Sequence, residues 1–406
     1  MKKIFYSVRI HLNHLRQIPS YFGNNNLIKE ISSVENLEYI KNFKISTIDP
    51  FVNGIIDEIF PLASYSKHLL MLSLEATSYF IFPSICVFTQ LTSLKIVNCT
   101  VGFKDFIMLI SNLNCLERLD IYELKLLKLS NEVHQEDEIL LPATLKEISF
   151  YDINLSATDL ISTPYEFVFK YNKFMDEEEF YLPAQYLPNL KRFQLHFFSG
   201  DLNYIPKFLS FNPQLPEFTL AFCNFTVDTI KTLAEGESIK KLTINLNYDD
   251  HDIFNNVNLP YLYSLSTLHI LYIGRKEYDS MHLLINSCPN LTKLYLMLKI
   301  YDSNFLTSIL DNLRILKSFK LSTEITSDEE LDLTIFSKLQ ILKLISRSNS
   351  KIFVKLPSSP LVLKLIVLSF DNYIDNFNAM MGTYKDSSSW NIKLIGKDII
   401  CRVVNI

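Results

Sequence analysis

Apolar residues along most of this chain recur in one frame, L-x-x-L-x-L, often with Asn or Cys at the ninth place. It fits Leu91-Leu94-Ile96-Cys99, Leu116-Leu119-Ile121, Leu145-Ile148-Phe150, Leu190-Phe193-Leu195, Leu215-Phe218-Leu220-Cys223 and Ile239-Leu242-Ile244-Asn247. It continues through Leu265-Leu268-Ile270, Leu291-Leu294-Leu296, Leu316-Phe319-Leu321, Leu339-Leu342-Leu344 and Leu365-Leu368-Phe370. With 48% apolar residues, about one frame in nine matches by chance, so a single triad says nothing. The spacing decides. From Leu190 the first positions fall at 215, 239, 265, 291, 316, 339 and 365, in steps of 23 to 26 residues.

Positions 4 and 6 alternate with polar residues, as a short half-buried strand requires, and position 1 packs at its entry. Return segments carry helical spacing at Phe106, Leu109, Ile110 and Leu113, at Met281, Leu284 and Ile285, and at Leu306, Ile309, Leu310 and Leu313, with Asp105, Ser280 and Ser303 as their caps. A unit of strand, turn, helix and turn cannot bury its own apolar face, so neighbours must stack. The expected fold is an α/β solenoid, a horseshoe with a concave parallel β-sheet and convex helices.

One solenoid over residues 1–406 follows, with irregular repeats in 1–68, regular ones in 69–370 and a cap in 371–406. Leu69-Leu72-Leu74 fits the frame, while Phe5-Val8-Ile10-Asn13 and Ile40-Phe43-Ile45 fit loosely. If Phe5 begins a repeat strand, the chain starts inside the array and an upstream portion is expected. The step from Leu145 to Leu190 holds either a degenerate repeat at Phe167 to Asn172 or an insertion. Apolar strands on either side of Gly396-Lys397-Asp398 form a hairpin that closes the last repeat, with Trp390 packed in it.

The frame, the period near 25, Cys99 and Cys223 at the ninth position and the run Ser287-Cys288-Pro289-Asn290-Leu291 resemble the cysteine-containing leucine-rich repeats of F-box substrate receptors. The resemblance implies a recognition scaffold that presents substrates to an SCF-type ubiquitin ligase and contacts its subunits. Extracellular or cell-surface recognition is the alternative use of such repeats. Ile55 to Phe60 is faintly similar to the opening of an F-box, but the rest of that motif does not follow.

Composition narrows the picture. Charged residues are 20% of the chain and aromatics include 30 Phe and 21 Tyr, which describes a folded protein rather than a disordered one. A formal charge of −5 with scattered Lys and Arg argues against nucleic acid. Cys86, Cys99, Cys115, Cys223, Cys288 and Cys401 lie far apart and read as reduced, buried thiols. Arg9, His11 and His14 interrupt the apolar stretch a signal peptide needs, and Pro83 and the repeat frame account for the apolar window Leu69 to Phe88. A cytoplasmic protein, or a nuclear one, with no membrane span is expected.

No catalytic motif and no cofactor-binding or metal site is expected. The eight glycines form no phosphate-cradling cluster, and Tyr248-Asp249-Asp250-His251-Asp252 reads as a solvated loop before it reads as a cation site.

Same-numbered positions of adjacent parallel strands stand about 4.8 Å apart, so the partner-binding face is written in columns. Position 8 gives Phe197, Phe222, Leu246, Tyr272 and Leu298, a row about 19 Å long that either lines this face or tucks under the following loop and extends the core. Beside it lie His196 and Met297 at position 7 and His269 and Tyr295 at position 5. Charge is sorted, with Asp120, Glu123, Glu147 and Asp152 toward the amino end and Lys293, Lys320 and Lys343 toward the carboxy end. A protein partner on the concave surface, steered by this polarity, is the functional expectation.

Overall fold

The computed structural model describes residues 7–11, 53, 56–57, 70–75, 79–129, 139–159, 177–196, 203–221, 226–246, 258–325, 330–347, 352–358, 362–384 and 389–404. They group into two compact units, residues 1–200 and 201–406.

In the first unit, β1 (Ser7–His11), β2 (Met71–Glu75), β3 (Ser93–Gly102), β4 (Arg118–Leu129), β5 (Glu147–Thr158) and β7 (Arg192–Leu195) pair in that order, all parallel. Helices α1 (Phe82–Ile85) and α2 (Phe103–Asn112) are return segments, and β6 (Glu177–Glu179) lies antiparallel on the far half of β5. Because β5 pairs directly with β7, the long step from Leu145 to Leu190 is an insertion between adjacent rungs. Phe167 to Asn172 and Ile40 to Ile45 lie outside the described residues.

The second unit runs α3 (Tyr204–Phe211), β8 (Glu217–Ala221), α4 (Val227–Glu235), β9 (Lys241–Asn245), β10 (Thr267–Ile273), α5 (Tyr278–Asn286), β11 (Lys293–Leu298), α6 (Ser303–Asn312) and β12 (Ser318–Thr323). It continues with β13 (Glu330–Asp332), β14 (Ile341–Ser346), β15 (Phe353–Lys355), β16 (Leu365–Phe370), α7 (Tyr373–Tyr384), β17 (Trp390–Ile395) and β18 (Asp398–Val403). Strands β8, β9, β10, β11, β12, β14 and β16 form one parallel ladder. Both units are leucine-rich-repeat solenoid.

Burial explains the frame. Phe218, Leu220, Leu242, Ile244, Leu268, Ile270, Leu294, Leu296, Phe319, Leu321, Leu342 and Leu344, positions 4 and 6 of six consecutive repeats, are all buried. Each such side chain contributes about 1.5–3 kcal/mol on leaving water. The entry to each strand is clamped as well. The position 1 amide closes a turn on the residue three before it, as Leu265 does on Leu262 and Leu291 on Cys288, and those residues are buried too. The amides of positions 2 and 3 then both donate to the position 2 carbonyl of the previous repeat: Ser266 and Thr267 to Lys240, Thr292 and Lys293 to Ser266, Lys317 and Ser318 to Thr292.

That clamp corrects the frame of the last repeat. Lys364 and Leu365 both donate to Gln340, and Leu342 and Leu344 stand beside Ile366 and Leu368. The frame is therefore Leu363-Ile366-Leu368, two residues earlier than Leu365-Leu368-Phe370. A shift of two keeps the same face of a strand, so alternation alone does not separate the two registers.

The return segments are more varied than the expected helices. Helices α2, α5 and α6 bury Phe106, Leu109 and Ile110, then Met281, Leu284 and Ile285, then Phe305, Leu306 and Ile309. After β12 and β14, however, the return is a 3-10 turn, Leu333–Phe336, and a parallel pair of β13 with β15. The caps also differ. Asp302, not Ser303, accepts the Phe305 amide at 3.0 Å. The amide of Gly274 donates to the Glu277 carboxylate at 2.7 Å at the head of a 3-10 turn that leads into α5, which places Ser280 inside the helix and buried. Asp105 sits in the first turn of α2, whose cap position is Gly102.

At the carboxy end β18 pairs antiparallel with both β16 and β17, and Gly396 takes φ +62° in the hairpin turn. Trp390 is buried and its indole N–H donates to the Pro357 carbonyl at 2.8 Å.

The corrected register makes Ile366, not Leu365, a core residue. Ile366→Ala is expected to cost about 2–4 kcal/mol and Leu365→Ala under about 1.5 kcal/mol, compared by urea unfolding of the two variants.

Candidate functional site

The outward positions 3, 5 and 7 of each ladder carry the groups left for chemistry. Position 8 depends on the backbone. Asn98, Glu123 and Asp152 hold φ of 49°, 53° and 53°, and Tyr272 holds 66°. Each is the eighth residue of its repeat, in the left-handed region that is unfavourable for a side-chain-bearing residue. The ladder skips them: Val97 pairs with Tyr122 and Cys99 with Leu124, while Tyr122 pairs with Tyr151 and Leu124 with Ile153. The strand thus turns a corner, position 8 is thrown outward, and position 9 enters the core as Cys99, Leu124, Ile153 or Ile273.

Where no corner forms, alternation continues and position 8 goes inward. Leu246 and Leu298 are 4% and 2% exposed, so the proposed row of partner-binding apolar residues does not extend through them. Tyr272 does face out, 40% exposed. Phe197 and Phe222 lie outside the described residues, as does the acidic stretch Tyr248 to Asp252. Among the described residues no group of three or more His, Cys, Asp or Glu is placed to hold a metal ion.

In the first unit the amino-side carboxylates are not a bare acidic patch. Arg118 Nε contacts Asp120 Oδ2 at 2.8 Å, and Arg192 reaches Glu147 at 3.3 Å. These arginines occupy position 3, which an inventory of carboxylates alone passes over. Asp152 accepts from Asn154 Nδ2 at 2.8 Å. His196 is half-buried beside Tyr122, 6.0 Å between ring centres, and its Nε2 has no hydrogen-bond partner among the described residues. Burial holds its pKa below the usual imidazole value, with Asp120 opposing.

In the second unit the position 5 residues His269, Tyr295, Lys320 and Lys343 are register neighbours on four consecutive strands. The His269 and Tyr295 rings meet edge to face at 5.4 Å, and Lys320 Nζ lies 4.0 Å from the centre of the Tyr295 ring. Leu271 and Met297, half-buried at position 7, flank the row. Burial first, then Lys241 and Lys320, push the His269 pKa down to about 4, against a small opposing pull from Glu217. Burial and then Lys343 lower that of Lys320. Burial raises that of Tyr295, while a hydrogen bond with Ser322 lowers it. Lys293, Lys320 and Lys343 make no ion pair among the described residues, in contrast to Lys241, which meets Glu217 at 3.2 Å. Structure thus gathers His269, Tyr272, Tyr295, Met297, Lys320 and Lys343 around one face and adds Leu271 and Arg347. Lys293, position 3 of the same repeat as Tyr295, is exposed two residues before it at the start of β11.

Cys99, Cys288 and Cys401 are buried, as expected, whereas Cys115 is exposed and Cys86 half-buried; burial pushes the Cys288 and Cys401 thiols up to about 12. Such thiols stay protonated and inert. No helix of the described residues is long and apolar enough to cross a membrane.

No protein-family model matches the chain. No curated protein matches it either. Among solved structures it is similar to a TLR13–ssRNA13 complex at 15% identity and a TM-score of 0.32, covering 75% of this chain and 53% of that one. An internalin (inlF) of Listeria monocytogenes is similar at 13% identity and a TM-score of 0.28, covering 77% and 92%. A LRIM1/APL1C complex is similar at 12% identity and a TM-score of 0.27, covering 81% and 59%. The chain spans about half the length of the TLR13 chain. The repeat fold rests on the strand ladder and the frame, not on these likenesses.

His269 supplies a pH test. Unfolded, it binds a proton near pH 6.5; folded, only near 4. Between those values the unfolded state holds more protons, so stability falls as pH drops through the window and levels below it. His269→Gln is expected to flatten that fall, measured as urea midpoints at pH 7 and pH 5.

Proposed function

We propose that this chain is a protein-recognition scaffold whose contact face is the outward side of the parallel ladder in residues 201–406. The observation that carries this reading is the row His269, Tyr295, Lys320 and Lys343 with Tyr272 beside it. Aromatic and cationic groups stand together there on rigid strands, and among the described residues Lys320 and Lys343 meet no carboxylate. Tyr and Arg at such a face bury large area at low entropic cost, which is what binding hot spots require. Strands also hold the side chains in fixed columns, so little ordering is left for the moment of binding.

A finer reading is substrate recognition for an SCF-type ubiquitin ligase, in the cytoplasm or nucleus. The cysteine-bearing repeat pattern supports the first part, and the free buried thiols of Cys288 and Cys401 support a reducing compartment. The competing use, extracellular recognition, would pair cysteines.

Affinity capture with the tagged chain and with Tyr272→Ser/Tyr295→Ser tests the scaffold. A reproducible partner lost at least ten-fold from the double variant is expected, and one retained at full yield overturns this face. Absence of cullin-type subunits from such captures overturns the ligase role, and fewer than six titratable thiols in the denatured, unreduced protein overturns the intracellular assignment.

A further inference from the structure

We infer that the outward face across β10 to β14 binds a short extended peptide segment carrying an apolar residue next to a pair of carboxylates. This rests on the recognition reading above and names the chemistry of its ligand.

The face has two halves. At one end Lys320 and Lys343 stand side by side on adjacent strands, with Arg347 exposed just beyond the end of β14. Neither lysine has an anionic partner among the described residues. Two ammonium groups about 4.8 Å apart at the backbone repel each other, and Lys320 already feels its neighbour as well as partial burial. An anion between them relieves both costs. Lys320 is meanwhile held in place over the Tyr295 ring rather than free to swing away, so the charge is positioned before any ligand arrives.

At the other end the row itself carries no charge, and the Lys241–Glu217 ion pair beside it is internally balanced. His269 is neutral at physiological pH, and Leu271 and Met297 are half-buried beside it. A wholly anionic ligand gains nothing from that half; an apolar side chain does. From His269 to Lys343 the row crosses three strand spacings, about 14 Å, the reach of about four extended residues at about 3.3 Å each. That span fits one apolar contact followed by an acidic pair.

Nucleic acid fits less well. A phosphate backbone needs cations repeated along its length, whereas the row offers a compact group of them and the neighbouring Lys241 is already neutralised by Glu217.

The test uses the full chain and a fluorescein-labelled peptide of two leucines followed by four glutamates, read by fluorescence anisotropy. Saturable binding is expected, weakened at least ten-fold by Lys320→Glu/Lys343→Glu and several-fold by Lys343→Gln. It should also weaken as salt is raised and when the leucines are replaced by serine. Unchanged circular dichroism shows that the surface variants fold. Failure to bind, binding indifferent to both lysine variants, or indifference to loss of the leucines each overturns the proposal. So does equal competition by oligothymidylate, which would mark a general anion site. If the peptide fails while a captured partner is still lost from Tyr272→Ser/Tyr295→Ser, the recognition reading stands and only the acidic chemistry falls.

Discussion

Each strand of this protein shelters its inward residues only because the next strand stands in register beside it. A strand of five or six residues buries two or three apolar side chains, too few to fold alone. Stacking multiplies that small gain, and the clamp at position 2 fixes where each rung begins. Two amides of one repeat share a single carbonyl of the repeat before it, from Leu70, which serves Thr92 and Ser93, to Gln340, which serves Lys364 and Leu365. The columns of outward residues exist because of this alignment. His269, Tyr295, Lys320 and Lys343 are far apart in sequence and adjacent in space for no reason other than shared register.

Much of the fold was legible in the amino-acid order because positions 1, 4 and 6 are buried in repeat after repeat, and burial is what hydrophobicity reports. What stayed hidden was what hydrophobicity does not encode. Leu365-Leu368-Phe370 satisfies the frame as well as Leu363-Ile366-Leu368 does, and only the clamp on Gln340 separates them. The corners at Asn98, Glu123, Asp152 and Tyr272 are backbone events. They do leave a trace: where the strand bends, position 9 is apolar, as in Cys99, Leu124, Ile153 and Ile273. Where it runs straight, position 9 is polar, as in Leu298-Lys299, Thr323-Glu324, Ser346-Arg347 and Phe370-Asp371.

That same trace separates Tyr272, which reaches the candidate face, from Leu246 and Leu298, which extend the core. Reading position 8 as one uniform row overlooked it. The basic end of the site was visible as three lysines, but its organisation was not, since a ring beneath an ammonium group and a missing counter-charge are facts of geometry. Among the amino-side carboxylates, by contrast, Arg118 and Arg192 offset the charge of Asp120 and Glu147.

The hairpin at Gly396 reverses the chain direction after a long run of parallel rungs. Its outer strand, β17, turns Asn391, Lys393 and Ile395 away from the core in alternation. A bare parallel rung would offer its hydrogen-bonding groups to any passing strand of matching polarity, the first step of fibrillar association. A short antiparallel strand with Lys393 exposed at its middle is one of the devices that blunt a sheet edge against pairing with further chains.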